Sequence, residues 1–180
     1  MIPQNNPPSV KLIIGILFSE EERLDAALDK LEEKYGRIDL KSRRFHFNIT
    51  DYYEDEMGKP IERLFITFDR LIQPDTIGRI KIQTNEIENQ LAVDNKRKVN
   101  LDPGYMDYDK IILASAKYNG QKVYLYEGIW ADLTLYYKDN AFHPYPWSFP
   151  DFKTVLYNDF FLKVRARYKG QRRRQERETT

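Results

Sequence analysis

KLIIGILF (residues 11–18) runs directly into SEEERLDAALDKLEEKYG (19–36), and the change of period between the two decides the fold. The first is a nearly unbroken apolar run, which suits a central strand buried on both faces. In the second, Ser19 and Glu22 stand at capping-box spacing. Leu24, Ala27, Leu28, Leu31 and Tyr35 then recur at helical intervals, and Gly36 is a C-terminal stop. A buried strand therefore feeds an amphipathic helix.

Working outward, SRRFHFNI (42–49) and IERLFITF (61–68) read as strands, the first with Phe45, Phe47 and Ile49 on one face. TDYYEDEMGKP between them is an acidic loop or short helical turn. A second helix follows Pro74, with Ile77, Ile80, Thr84, Ile87 and Leu91 on one stripe, and ends near Val93. NLDPGYMD (100–107) reads as a turn: Pro103 suits the second turn position and Gly104 the third. Asp107 would then cap a shorter helix over 107–118. KVYLYE (122–127) and IWADLTLYY (129–137) are adjacent strands bent at Gly128. AFHPY (141–145) is an edge strand, because Pro144 cannot donate to a ladder. In PWSFPD, Asp151 is expected to cap a last helix over 152–168 and Trp147 to pack in the core. That helix carries Leu156, Phe160 and Val164 on one stripe.

The order predicts one α+β domain over 11–168, a mostly antiparallel sheet of about six strands with helices packed mainly on one face. Its start is ferredoxin-like and its later part a β-meander. Residues 1–10 are expected as a flexible leader and 169–180 as a basic disordered tail.

The 180 residues suit a single domain that buries roughly 70% of the surface its unfolded chain exposes. Aromatic residues make up 14% of the chain, unlike a disordered composition. With no cysteine, disulfides, thiolate catalysis and cysteine-held metals are excluded. The longest apolar run is too short to span a bilayer. The N-terminal residues lack the regions of a signal peptide, and a cytoplasmic protein is expected. The net charge of +1 divides unevenly: eight Lys/Arg against two Glu from Lys163 onward, over a mildly acidic body. Nucleic acid is thus a candidate partner only through 163–177.

Several segments together resemble one family: KLIIGILFSEEE, TDYYEDEMG, RLFITFDRLI, IKIQTNEIE, VNLDPGYMD, KIILASAK, YEGIWADLTL and PWSFPDF. The chain is similar to a prokaryotic domain-of-unknown-function family, number four-four-one-six, over all but the leader and the Arg-rich tail. The resemblance implies a compact single domain and no established reaction. Some members of the family carry the label GTP-binding protein. The residues here argue against a P-loop: no two glycines bracket four residues before Lys-Ser/Thr. FSEEE also places carboxylates where phosphates would sit.

The candidate site is a cleft lined by the 51–56 loop, the 81–85 helix face and the 100–105 turn. Asp51, Asp102 and Asp132 would supply carboxylates, suited to Mg²⁺ if the site takes a metal. Lys81 would hold an anion beside Asn85, Tyr52 or Tyr105 would orient it, and the turn would present Asn100 at the mouth. Each has a plainer reading. The acidic loop is a solvated run, Asn100, Asp102 and Tyr105 are turn and packing residues, and Lys81, Asn85 and Glu88 form a solvated helix face. His46 and His143 lack the hydroxyl residues of a two-histidine phosphoesterase, and a shared site would need the two rings to be neighbours. The leading expectation is a domain binding a small anionic or nucleotide-like ligand. The alternatives are a nucleic-acid- or ribosome-associated module working through the basic tail, and an oligomerising subunit with tyrosines at its interface.

Overall fold

Strand β1 (Lys11–Phe18) is buried at every position. In the computed structural model, which describes residues 6–178, it lies inside a nine-stranded, wholly antiparallel sheet. The elements in order are β1, α1 (Glu21–Tyr35), β2 (Ile38–Lys41), β3 (Phe45–His46), α2 (Glu54–Met57), β4 (Glu62–Phe68), α3 (Ile77–Gln90) and β5 (Val99–Met106). Then come β6 (Lys110–Ser115), β7 (Val123–Tyr126), β8 (Ile129–Lys138), β9 (Ala141–Pro144) and α4 (Asn158–Glu178). The path across the sheet is β2-β4-β1-β5-β6-β8-β7, with β3 beside β4 and β9 beside β8. Its first four strands, with α1 and α3 as crossovers, have the ferredoxin-like order. The remainder is the meander.

Alternation along β1 assigns its two faces. Leu12, Ile14, Ile16 and Phe18 enter a core with Leu24, Ala27, Leu28 and Leu31 of α1 and Ile77, Ile80 and Ile87 of α3. Ile13 enters a second core with Phe65, Met106 and Leu135, covered by Phe160, Phe161 and Val164 of α4. Lys11 shares that face and is fully buried. Its ammonium donates to Asp39 Oδ2 at 2.6 Å, to the Phe68 carbonyl and to Gln171 Oε1 at 2.9 Å, which ties α4 across the sheet. Burial holds the Lys11 pKa below its ordinary value, against the pull of Asp39.

The structure corrects several expectations. NLDPGYMD is not a turn but most of β5, and the expected 107–118 helix is replaced by β6. Pro103 is tolerated inside the sheet for a geometric reason. The N–H and C=O of Leu101 point away from β1, toward α3. Alternation puts the Pro103 nitrogen on the same side, where β6 does not pair until Gly104. Gly104 is needed for close approach, since a Cβ there would sit 2.3 Å from the Ile112 carbonyl oxygen. Asp107 caps the β5–β6 hairpin, accepting from the Asp109 and Lys110 N–H groups. At α1 the N-cap is Glu20, and the Ser19 hydroxyl donates instead to the Met57 carbonyl. Gly36 does end the helix, at φ 93°.

The last helix starts at Asn158, leaving Leu156 exposed, and continues to Glu178 through the stretch expected to be disordered. Val164, Tyr168 and Gln171 keep one face of it buried. Trp147 is half-exposed rather than core, stacked on Tyr145 with its indole N–H donating to the Leu133 carbonyl. Residues 1–5 of the expected leader and 179–180 of the expected tail lie outside the described residues. Among the described residues no helix is long and apolar enough to cross a membrane.

Because the β5–β6 contact leaves no room for a side chain at position 104, Gly104→Ala should destabilise the fold by about 1–3 kcal/mol through overpacking. Gly120→Ala, where an added Cβ meets nothing within 4 Å, should change stability far less. Urea midpoints of the two variants check this, and equal shifts would contradict it.

Candidate functional site

β5 and β6 pair only over Gly104–Met106 and Ile111–Leu113 and then part. A cleft of about 490 Å³ opens beside the unpaired half of β5. That volume lies within the usual range for a small-molecule site. Helix α3 closes one side. Glu88 Oε1 accepts from the Leu101 N–H at 2.6 Å, and Lys81 Nζ donates to the Leu101 carbonyl at 2.7 Å. Seven residues apart, the two side chains stand two turns apart on one helix face. They replace the missing strand partner of Leu101. Burial raises the Glu88 carboxyl above its ordinary value, although Lys81 and the Leu101 N–H oppose the shift.

The opposite wall is built on Arg63 of β4, which is 3% exposed. Its guanidinium crosses the sheet over Gly15, where a Cβ would lie 2.9 Å from Nη1. Phe47, Phe65 and Phe152 surround it, with ring centroids 5.0, 5.6 and 5.9 Å away. Asp151 Oδ2 lies 3.3 Å from Nε and Asp102 Oδ2 3.6 Å from Nη1. Neither nitrogen makes a hydrogen bond. Asp151 accepts from Tyr157, and burial raises its pKa despite the neighbouring cation. Tyr53 adds a half-buried ring to this wall, its phenol pushed up to about 12 mainly by burial.

Arg97 closes one end. It donates to Glu56 Oε2 at 2.7 Å and to Asn100 Oδ1 at 3.2 Å. Asn100 is 4% exposed, and its amide nitrogen has no acceptor. At the far end Lys122 Nζ donates to Ser115 Oγ at 2.9 Å and stands 3.4 Å from Asp132 Oδ2. Asp132 Oδ1 is buried without a donor, and burial raises this carboxyl above its ordinary value. Lys117 sits at the mouth, 4.2 Å above the Tyr52 ring and 3.1 Å from its hydroxyl. That hydrogen bond lowers the Tyr52 phenol.

A family model described as a domain of unknown function, DUF4416, matches residues 8–168. The chain belongs to that family. Comparisons with curated proteins and with solved structures gave no match. The DUF4416 match takes in every residue of the cleft and ends ten residues before α4 does.

Of the residues singled out in the sequence, the fold brings Lys81, Asn85, Asn100, Asp102 and Asp132 to this cleft. Asp51, Tyr52 and Tyr105 do not line it. Asp51 is exposed in a 3₁₀ turn, Tyr52 reaches the mouth only through Lys117, and Tyr105 packs on the opposite face of β5 against the α1/α3 core. The expected carboxylate trio for a metal is therefore not assembled. Asp102 and Asp132 each face a cation, and among the described residues no group of three or more His, Asp or Glu could hold a metal ion. His46 and His143 lie on β3 and β9, separated by the breadth of β4, β1, β5, β6 and β8. The sequence reading missed Arg63, Arg97 and Lys122. Arg63 had a signal: a cation inside the apolar run 61–68 has to be buried and therefore matched.

Glu88 gives a test of the edge-capping role. Glu88→Ala should cost about 1–3 kcal/mol by leaving the Leu101 N–H unsatisfied. Glu88→Gln keeps an acceptor and should cost far less. A carboxyl whose folded pKa is raised favours folding fully below its unfolded value, ordinarily 4.5, and that advantage is lost as pH climbs through the folded value. The native chain should accordingly lose stability relative to Glu88→Gln as pH rises from 4.5 through the raised value. Urea titrations of both between pH 4 and 7 measure it, and parallel profiles would refute the role.

Proposed function

We propose that the cleft binds a small anionic ligand of nucleotide-like size. The observation that carries this is the pair of orphaned donors, Arg63 Nη1 and Asn100 Nδ2, on two side chains that are each more than nine-tenths buried. A buried donor without an acceptor costs about 1–3 kcal/mol, and an oxygen of an incoming anion would relieve it once the two side chains turn these atoms, themselves closed to solvent, toward the ligand. Charge-assisted bonds to a guanidinium suit carboxylate or phosphate. Net charge supports the reading less. Five cations and three carboxylates line the cleft, but Glu56 and Asp151 offset two of the cations from behind. The demand for hydrogen-bond acceptors therefore outweighs the field. Mg²⁺, where it takes part, would arrive on the ligand's phosphates, since Asp102 and Asp132 do not form a protein cage.

Thermal unfolding should rise with inorganic phosphate or nucleoside mono- and triphosphates, tested with and without Mg²⁺ at matched ionic strength. A ligand at a hundred times its Kd adds about 2.7 kcal/mol. Asn100→Leu, of similar volume, removes the unpartnered N–H together with an acceptor of Arg97, and should shrink the shift several-fold when the shift is measured from the variant's own ligand-free melting temperature. The reading fails where no anion raises the melting temperature, or where Asn100→Leu leaves the shift intact.

A second reading rests on α4. Its buried face is Phe160, Phe161, Val164, Tyr168 and Gln171, so Lys163, Arg167, Arg173, Arg174 and Arg177 are all presented on the exposed side. We infer that such a one-sided basic helix would bind a polyanion such as RNA. Deleting 169–180 is a poor test, because it removes Gln171, which contacts Lys11. Neutralising Arg173, Arg174 and Arg177 to Gln should weaken salt-dependent RNA binding and flatten its salt slope by about 0.7–0.9 for each phosphate no longer neutralised. An unchanged slope would dismiss the reading.

A further inference from the structure

Two features of the cleft are not used by an anion alone. Asp132 Oδ1 is an acceptor with no donor, while its sister oxygen stands 3.4 Å from Lys122 Nζ. Lys122 already balances the charge of Asp132, so the group that meets Oδ1 need bring only an N–H, not a second cation. The other feature is Phe149, which lines the cleft 46% exposed and, among the described residues, makes no ring–ring contact. Its neighbours on either side are engaged: Trp147 stacks on Tyr145, and Phe152 stacks on Phe161. An exposed, unpaired aromatic face on a cleft wall is a platform for a planar ring.

The spacing joins these features to the orphaned donors. Asn100 and Asp102 belong to β5 and Asp132 to β8, with β6 between them. β6 pairs Gly104 with Leu113 and Leu113 with Asp132, so Asp132 stands two strand spacings, about 10 Å, across from Gly104, and Asn100 lies about 13 Å further along β5. The two positions are thus about 16 Å apart, a span that a pentose with its base and 5′-phosphate fills when a hydrogen bond of about 3 Å is added at each end. Resting on the anion reading above, we propose that the ligand is a nucleotide. Its phosphate meets Arg63 and Asn100, its base lies against Phe149, and an N–H of the base donates to Asp132 Oδ1.

Isothermal titration of the full chain at fixed salt and Mg²⁺ tests this with three kinds of probe. These are the four natural ribonucleoside 5′-monophosphates, purine riboside 5′-monophosphate, whose base has no N–H, and ribose 5-phosphate, which has no base. The tightest natural monophosphate should bind about tenfold or more tightly than either control, the factor expected for one hydrogen bond to a charged group. Asp132→Asn, nearly isosteric, and Phe149→Ala, at an exposed position, should each remove most of that margin while leaving ribose 5-phosphate binding within about twofold. Equal binding of ribose 5-phosphate and the nucleotides would overturn the nucleotide assignment and leave the anion reading standing. So would a margin that survives both substitutions. Absence of binding by every phosphate compound would overturn both.

Discussion

The backbone of Leu101 presents an N–H and a C=O that no strand reaches, and much of the architecture follows from how they are satisfied. A sheet edge inside a folded domain must be paired, covered or wetted. Here α3 covers it with one carboxylate and one ammonium, Glu88 and Lys81, aimed at a single residue's backbone. Once that edge is sealed by side chains, β6 is free to diverge after Leu113, and the divergence is the cleft. The ferredoxin-like half and the meander half thus join along a seam that is zipped at one end and open at the other.

The second face of the sheet carries charge where an ordinary core would be apolar. Lys11 and Arg63 are both buried there, Lys11 with Asp39 and Gln171, Arg63 with Asp151 and Asp102. Buried ion pairs are weak contributors to net stability, because desolvation offsets most of the attraction. Their evident effect here is positional. Lys11 fixes where α4 crosses the strands, and Gly15, by lacking a side chain, lets Arg63 lie across β1 and reach the cleft. Four residues apart on one strand, a buried lysine and a glycine thus set the anchor of the helix and the depth of the site.

How much of this was legible depends on the range of the forces involved. The β1–α1 unit could be read from period alone, because burial on both faces and an amphipathic stripe leave local signatures in KLIIGILF and LDAALDKL. The ferredoxin-like order followed from the alternation of such units. NLDPGYMD misled because Pro-Gly has strong local turn chemistry, whereas its conformation is set by partners far away in sequence. Ile14 lies opposite Pro103, and the β6 backbone lies within reach of the missing Cβ of Gly104. KIILAS is apolar without a decisive period, and the reading of Asp107 as an N-cap made it a helix, where the sheet makes it strand β6. The continuation of α4 past Tyr168 is carried by a single buried polar residue, Gln171, which composition does not distinguish from a solvated tail. Within the site, Lys81 and Asn85 could be named from a helix face and Asp132 from a strand, whereas Asn100 and Asp102 were named as residues of a turn that proves to be strand β5. Arg97 and Lys122 lie on connections, whose positions no periodicity encodes.

The division of labour among the cleft's cations follows from the same seam. Lys81 is the residue whose place on the helix most suggested an anion-holder, yet its ammonium is held by the Leu101 carbonyl and stands 4.0 Å from Asp102. Its charge is needed where the strand edge is open. Arg97 is similarly held, between Glu56 and Asn100. Unmet hydrogen-bonding capacity is left with Arg63 and Asn100 on one side and Asp132 on the other. Natural proteins satisfy nearly all buried polar atoms. Orphaned atoms occur elsewhere too, at Arg23 and Arg172, but among the described residues only around this cavity do three such side chains gather, in a domain that seals its strand edge with two buried charges, and it is on that gathering that the proposed ligand site rests.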